Sequence, residues 1–112
     1  MNTLLRYTLL GYYNISTAIQ SFADTEIEKF SVAGKAASKV GWSPIQSVAK
    51  RKLDMIHYSA QLVDLRFRLG NRLEELKGNL TGLHSIRIND QWRVVFRWTA
   101  AGPAEVRIED YH

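Results

Sequence analysis

From Leu73 to the C-terminus, apolar and polar residues alternate. His84, Ile86 and Ile88 alternate with Ser85, Arg87 and Asn89, and Trp92, Val94, Phe96 and Trp98 alternate with Arg93, Val95 and Arg97. A period of two puts one set of side chains on a buried strand face and the other on a polar one. Leu73 and Leu76 open this region, and turns are expected at Lys77-Gly78-Asn79, Asn89-Asp90-Gln91 and Ala100 to Pro103. Glu105 to Tyr111 is the closing strand. The pattern predicts a small antiparallel sheet.

Upstream the period changes. Ile45, Val48, Ala49, Leu53 and Ile56 share one face of a helix running from Ile45 to about His57, with Lys50, Arg51 and Lys52 on its flanks. Ser43-Pro44 reads as its start, serine as cap and proline at the first helical position. Asp24 is the expected N-cap of an earlier helix, TEIEKF, in which Glu26 and Glu28 suit the positive end and Ile27 and Phe30 face the core. Before it, Ala18 to Phe22 is a short strand candidate. Gly34 to Gly41 reads as a loop or frayed helix end. Leu62, Val63 and Leu65 dock a short helical turn, and Arg66 to Arg72 form a basic loop hinged on Gly70.

The first eighteen residues differ from the rest, being rich in Leu and Tyr with Arg6 as their only charge. They read as an added amphipathic segment or the product of an upstream start codon. Arg6 breaks the apolar run that a secretory signal needs, and the run is too short to span a bilayer. The expected organisation is an extension at residues 1–18 and one folded domain at 19–112.

Composition narrows the chemistry. With 46% hydrophobic residues, the 112-residue chain is sized for a single core. It has no cysteine, which removes disulfides, thiolate catalysis and cysteine-ligated zinc. Three scattered histidines, at 57, 84 and 112, with no zinc spacing, predict no metal site, and no glycine loop predicts a phosphate-bearing cofactor. The net charge is +4, and fourteen of the fifteen Lys and Arg residues follow Glu28. That balance favours a polyanionic partner.

Arg87, Arg93 and Arg97 alternate away from the core positions of neighbouring strands, so they should cluster on one sheet face. A phosphate suits such clustered guanidiniums. Pairing with Glu105, Glu109 or Asp110 is the competing use. Lys50, Arg51 and Lys52 either contact RNA or form a solvated helix face. RNA cleavage by the neighbouring 2′-OH needs a proton acceptor, cations for the phosphate and an acid for the leaving oxygen. Lys77, Arg93, Tyr111 and His112 supply these groups, and Asp110 can orient a cation or the imidazole.

The stretch NRLEELKGNLTGLHSIRINDQWRVVFRW and the terminal VRIEDYH closely resemble the HigB/GraT branch of the RelE-like toxins of bacterial toxin–antitoxin pairs. IQSFADTEIEKF and WSPIQSVAKRKLDMI resemble the start and second helix of that family, so the likeness runs from about Ile19 to His112. It implies an α+β RelE-like fold, with an N-terminal strand and helices packed on a curved antiparallel sheet. It also implies a cytoplasmic, ribosome-dependent mRNA endoribonuclease that works without metal or cofactor. The implied partners are ribosome and mRNA, and a cognate helix-turn-helix antitoxin through which alone operator DNA is met; no membrane is implied. A non-cleaving translation inhibitor and an antitoxin-bound co-repressor are the alternatives.

By the same likeness, the site residues fall on Lys77, Arg93, Asp110, Tyr111 and His112. Glu74 stands where some relatives carry a histidine, and either assists proton transfer or pairs with Lys77 or Arg72. Lys50, Arg51, Lys52, Arg72, Arg87 and Arg97 are the expected contacts to RNA backbone.

Overall fold

The computed structural model describes residues 18–37 and 39–110. Among the described residues two α-helices, α1 (Thr25–Ala33) and α2 (Gln46–Tyr58), precede a four-stranded antiparallel meander of order β1-β2-β3-β4. Its strands are β1 (Glu74–Glu75), β2 (Leu83–Arg87), β3 (Trp92–Thr99) and β4 (Gly102–Asp110). Short 3₁₀ turns occupy Ser43–Ile45, Leu62–Phe67 and Gly78–Leu80.

The helix boundaries follow local chemistry. Asp24 is extended and accepts from the backbone N–H of Ile27 at 2.9 Å, satisfying a donor the first turn leaves open. Gly34 ends α1 at φ 75, its N–H donating to Phe30 O at 2.7 Å. That left-handed closure suits a residue without Cβ. At the start of α2, Ile45 rather than Ser43 occupies the cap position, and Ser43 and Pro44 lie inside the preceding 3₁₀ turn, which Trp42 caps. The proline marks the start as expected; the serine cap is corrected.

Both helices pack on one sheet face. Ile27, Phe30, Trp42, Ala49, Leu53, Ile56 and Leu65 meet Ile86, Ile88, Val94, Phe96 and Val106 in one core. Phe30 and Trp42 lie with ring centroids 4.7 Å apart, tying α1 to the segment before α2. The other face is not simply polar. Leu76, Leu83 and Val95 form a second, smaller buried cluster there, with Ser85 and Arg93 buried on the same side. The alternation located the faces correctly, but a side chain's polarity did not reveal whether its face was covered.

The strand expected at Ala18 to Phe22 is reduced to a single parallel bridge, Phe22 to Val106. Gln20 N donates to Pro103 O at 2.7 Å and Val106 N to Ser21 O at 3.1 Å, so the segment does lie along β4. Asp24 then turns the chain into α1 before a ladder can extend. Ser38, Tyr111, His112 and residues 1–17 of the expected extension lie outside the described residues.

Candidate active site

The register assembles the site. Glu74 stands opposite Ser85, Ser85 opposite Val95, and Val95 opposite Arg107. Directly opposed residues project to the same side of a sheet. Glu74, Arg87, Arg93 and Arg97 therefore share one face, as the alternation predicts for the three arginines. Arg107, which the sequence reading did not single out, joins them. The signal for it was present in the alternation of Glu105, Arg107 and Glu109 with Val106 and Ile108.

Arg87 and Arg93 are direct cross-strand partners. Arg93 is 5% exposed, much more enclosed than a surface strand position implies. Its Nε donates to Ser85 Oγ at 2.7 Å, and its Nη2 donates to the Arg72 carbonyl at 2.5 Å and to Ser85 O at 3.3 Å. Each of these partners is neutral. Together they hold the guanidinium in place.

Arg87, Arg97 and Arg107 each meet a carboxylate. Arg87 donates to Asp90 at 2.6 Å, Arg97 to Glu105 at 3.0 Å and Arg107 to Glu109 at 2.7 Å. The arginine bond holds the Asp90 carboxyl below the usual carboxylate range. All three pairs are partly or well exposed, so each adds little to stability and can open to a phosphate. Glu105 takes its place at a left-handed φ of 54, where the β3–β4 register shifts between Val95 and Arg97. Such a bulge re-aims side chains, and here the Glu105 carboxylate reaches Arg97.

The basic residues of α2 divide. Lys50 is ion-paired with Asp54 at 2.5 Å, one turn on, and Arg51 is exposed. Lys52 is not on a solvated flank: it is 3% exposed, and its Nζ donates to Asn71 Oδ1 at 2.6 Å. The expected RNA contact at Lys52 is corrected accordingly. A lysine beside the apolar stripe can be drawn inward when a buried acceptor awaits it, and Asn71 is that acceptor. Burial first, then repulsion from Arg51, Arg87 and Arg93, pulls the Lys52 pKa down.

Asn71 is itself fully buried. Its Nδ2 donates to Leu65 O at 3.0 Å and contacts Met55 Sδ at 3.1 Å, while its carbonyl accepts from Arg87 N at 2.6 Å. The basic loop is thus anchored at its end, beyond the left-handed Gly70 (φ 83). Arg72, also left-handed at φ 45, keeps its side chain exposed and turns its carbonyl to Arg93.

The remaining predicted residues lie around this face. Lys77 is exposed and directly precedes the Gly78–Leu80 turn. Asp110 ends β4 opposite Trp92 and accepts from Gln91 Nε2 at 3.0 Å. Asn89 shapes the adjoining β2–β3 turn, its Oδ1 accepting from the backbone N–H of Gln91 and Trp92. Tyr111 and His112 follow Asp110 outside the described residues. At the β1 edge, Leu62, Val63, Arg66, Leu73, Glu74, Glu75 and His84 line an open cleft of about 280 Å³.

The model for the family described as the RelE-like toxin HigB of a type II toxin-antitoxin system matches residues 20–112. The chain belongs to the HigB-like toxin family. It is 39% identical over 77 residues to Toxin HigB-1 of Vibrio cholerae, spanning 69% of this chain and 80% of that one. The fold also matches the YoeB-YefM complex from Staphylococcus aureus at a TM-score of 0.53 and 22% identity, covering 84% of this chain and 94% of that one. A YoeB/ParE toxin from Agrobacterium tumefaciens aligns at 0.52 and 18%, over 85% and 99% of the two chains. This chain is therefore a RelE-like type II toxin with the α+β fold of that superfamily. Among the described residues, no helix is long and apolar enough to cross a membrane.

Proposed function

We propose that this toxin is a ribosome-dependent endoribonuclease that cuts mRNA by metal-independent attack of a 2′-OH on the adjacent phosphate. The observation that carries this reading is Arg93: a buried guanidinium fixed by neutral partners beside two further cations, Arg87 and Lys52. Three close positive charges favour a bound phosphate, and a preformed cation needs no reorganisation when charge develops on it.

In the proposed reaction a base removes the 2′ proton and O2′ bonds to phosphorus. The P–O5′ bond then breaks as an acid returns a proton to the leaving oxygen. Arg93 stabilises the phosphate with support from Lys77. Tyr111 and His112 are the proton-transfer groups, and Asp110 or Glu74 orients or assists them. Arg51, Arg72, Arg87 and Arg97 hold RNA backbone, with Lys50 shared between Asp54 and phosphate. A cognate helix-turn-helix antitoxin restrains the toxin in the cytoplasm and links it to operator DNA.

Expression of the chain without antitoxin, with 5′ ends of a reporter mRNA mapped, tests this directly. A purified assay with and without ribosomes, alongside a chain lacking His112, completes it. Cuts that require both ribosomes and His112 are expected. Growth arrest with intact mRNA would replace the nuclease with a non-cleaving translation inhibitor. Antitoxin binding without any arrest would favour a co-repressor.

A further inference from the structure

Lys52 has been drawn out of solvent, and its hydrogen bond ends on the loop that holds Arg93. The connection is continuous. Lys52 Nζ donates to Asn71 Oδ1 at 2.6 Å, and Asn71 Nδ2 donates to Leu65 O at 3.0 Å, closing the loop between Leu65 and Asn71. The next residue, Arg72, presents the carbonyl that accepts from Arg93 Nη2 at 2.5 Å. On the other side, the Asn71 carbonyl accepts from Arg87 N, fixing the loop to β2.

From this geometry we infer that Lys52 and Asn71 are positioning residues, holding the Arg72 carbonyl where it sets the direction of the Arg93 guanidinium. The inference rests on the nuclease reading and deepens it. Burying an ammonium is costly, and a well-packed apolar residue would serve stability as well or better. Lys52 is moreover buried close enough to Arg87 and Arg93 for their charges to depress its pKa. A device that works against stability at a cationic site is better explained by what it orients. The left-handed φ of 45 at Arg72 fits the same view, since an arginine rarely adopts it without surrounding constraint. Through this chain α2 takes part in fixing the phosphate-binding group.

The test is cleavage of ribosome-bound mRNA by the purified chain, measured from limiting to saturating toxin. Lys52→Met removes the ammonium while keeping most of the volume. It is expected to lower the rate constant at saturation on the order of tenfold, since small misplacements of a positioned group are costly. The half-saturating concentration should stay within about twofold, because Lys52 is buried out of reach of a bound strand. Lys52→Arg, which keeps a charged donor, should recover part of the rate. In an Arg93→Lys background, Lys52→Met should cause little further loss, the signature of a residue acting through another.

Should Lys52→Met melt early, Lys52→Leu, assayed below the onset of its own melting, serves as the second apolar variant. That variant should show the same rate defect. Wild-type rates in either folded variant, losses that add to Arg93→Lys, or a change confined to half-saturation would overturn the inference while leaving the nuclease reading intact. A wild-type chain that makes no cuts would overturn both.

Discussion

Arg87 and Arg93 face each other directly across β2 and β3, two guanidiniums on one rung of the sheet. Like charges so placed repel; Asp90 accepts from Arg87, and Ser85 and the Arg72 carbonyl accept from Arg93. Arg87→Gln should therefore leave stability unchanged or raise it, by up to about 1 kcal/mol, in urea unfolding. The same variant should bind ribosomes more weakly, with the slope of log affinity against log salt shallower by about 0.7 to 0.9. Equal affinity and an unchanged slope would mean that Arg87 meets no phosphate.

Arg93 behaves differently because it is enclosed. Arg93→Ala leaves Ser85 Oγ and the Arg72 carbonyl without their donor, at a cost of about 1–3 kcal/mol. At 5% exposure, neither acceptor has water to turn to. Arg93→Lys is the better probe of chemistry, since it keeps the charge and loses the fork. Cleavage should fall on the order of 10²-fold in a chain that still melts cooperatively. Near-normal cleavage by Arg93→Lys would remove the guanidinium geometry from the mechanism.

Glu105 offers the reverse experiment. Its φ of 54 strains a non-glycine residue, and its carboxylate neutralises Arg97 at 3.0 Å. Glu105→Gly relieves the backbone by about 1 kcal/mol and gives up an exposed pair worth about the same or less. Stability should change by less than about 1 kcal/mol, while freed Arg97 strengthens ribosome binding at low salt. Weaker binding would show that the bulge, rather than the charge, matters at this edge.

What the sequence disclosed depended on whether a feature was local. The α1 cap at Asp24, the core pair Ile27 and Phe30, the α2 stripe and the strand alternation are written in short-range spacing, and all stand in the structure. The arginine face could be read because period two survives any tertiary context. Lys52 could not be read, because its acceptor lies nineteen positions away in a loop. The same holds for Ser85 and for the backbone carbonyl of Arg72, whose bonds to Arg93 appear only once the chain is folded. Burial of Leu83 and Val95 on the cationic face needed Leu76 to fold over it, which no alternation rule contains.

A pH dependence follows from the N-terminal end of the domain. Ile19 N donates to His57 Nδ1 at 3.2 Å, so the imidazole accepts with a lone pair that protonation would remove. Burial, with a smaller contribution from Lys50 and opposition from Asp54, lowers the His57 pKa in the folded chain. The unfolded chain then binds the proton more readily, and stability rises with pH across the interval between the two pKa values. The His57 contribution is complete above the unfolded value of about 6.5 and is lost as pH falls toward the folded one. Amide exchange at Ile19, corrected for intrinsic rate, should therefore accelerate between pH 7.5 and 5.5, ahead of the core amides of β3. In His57→Gln, whose side chain does not titrate, that acceleration should vanish. If it persists unchanged, acid loosens this segment by a route that does not pass through His57.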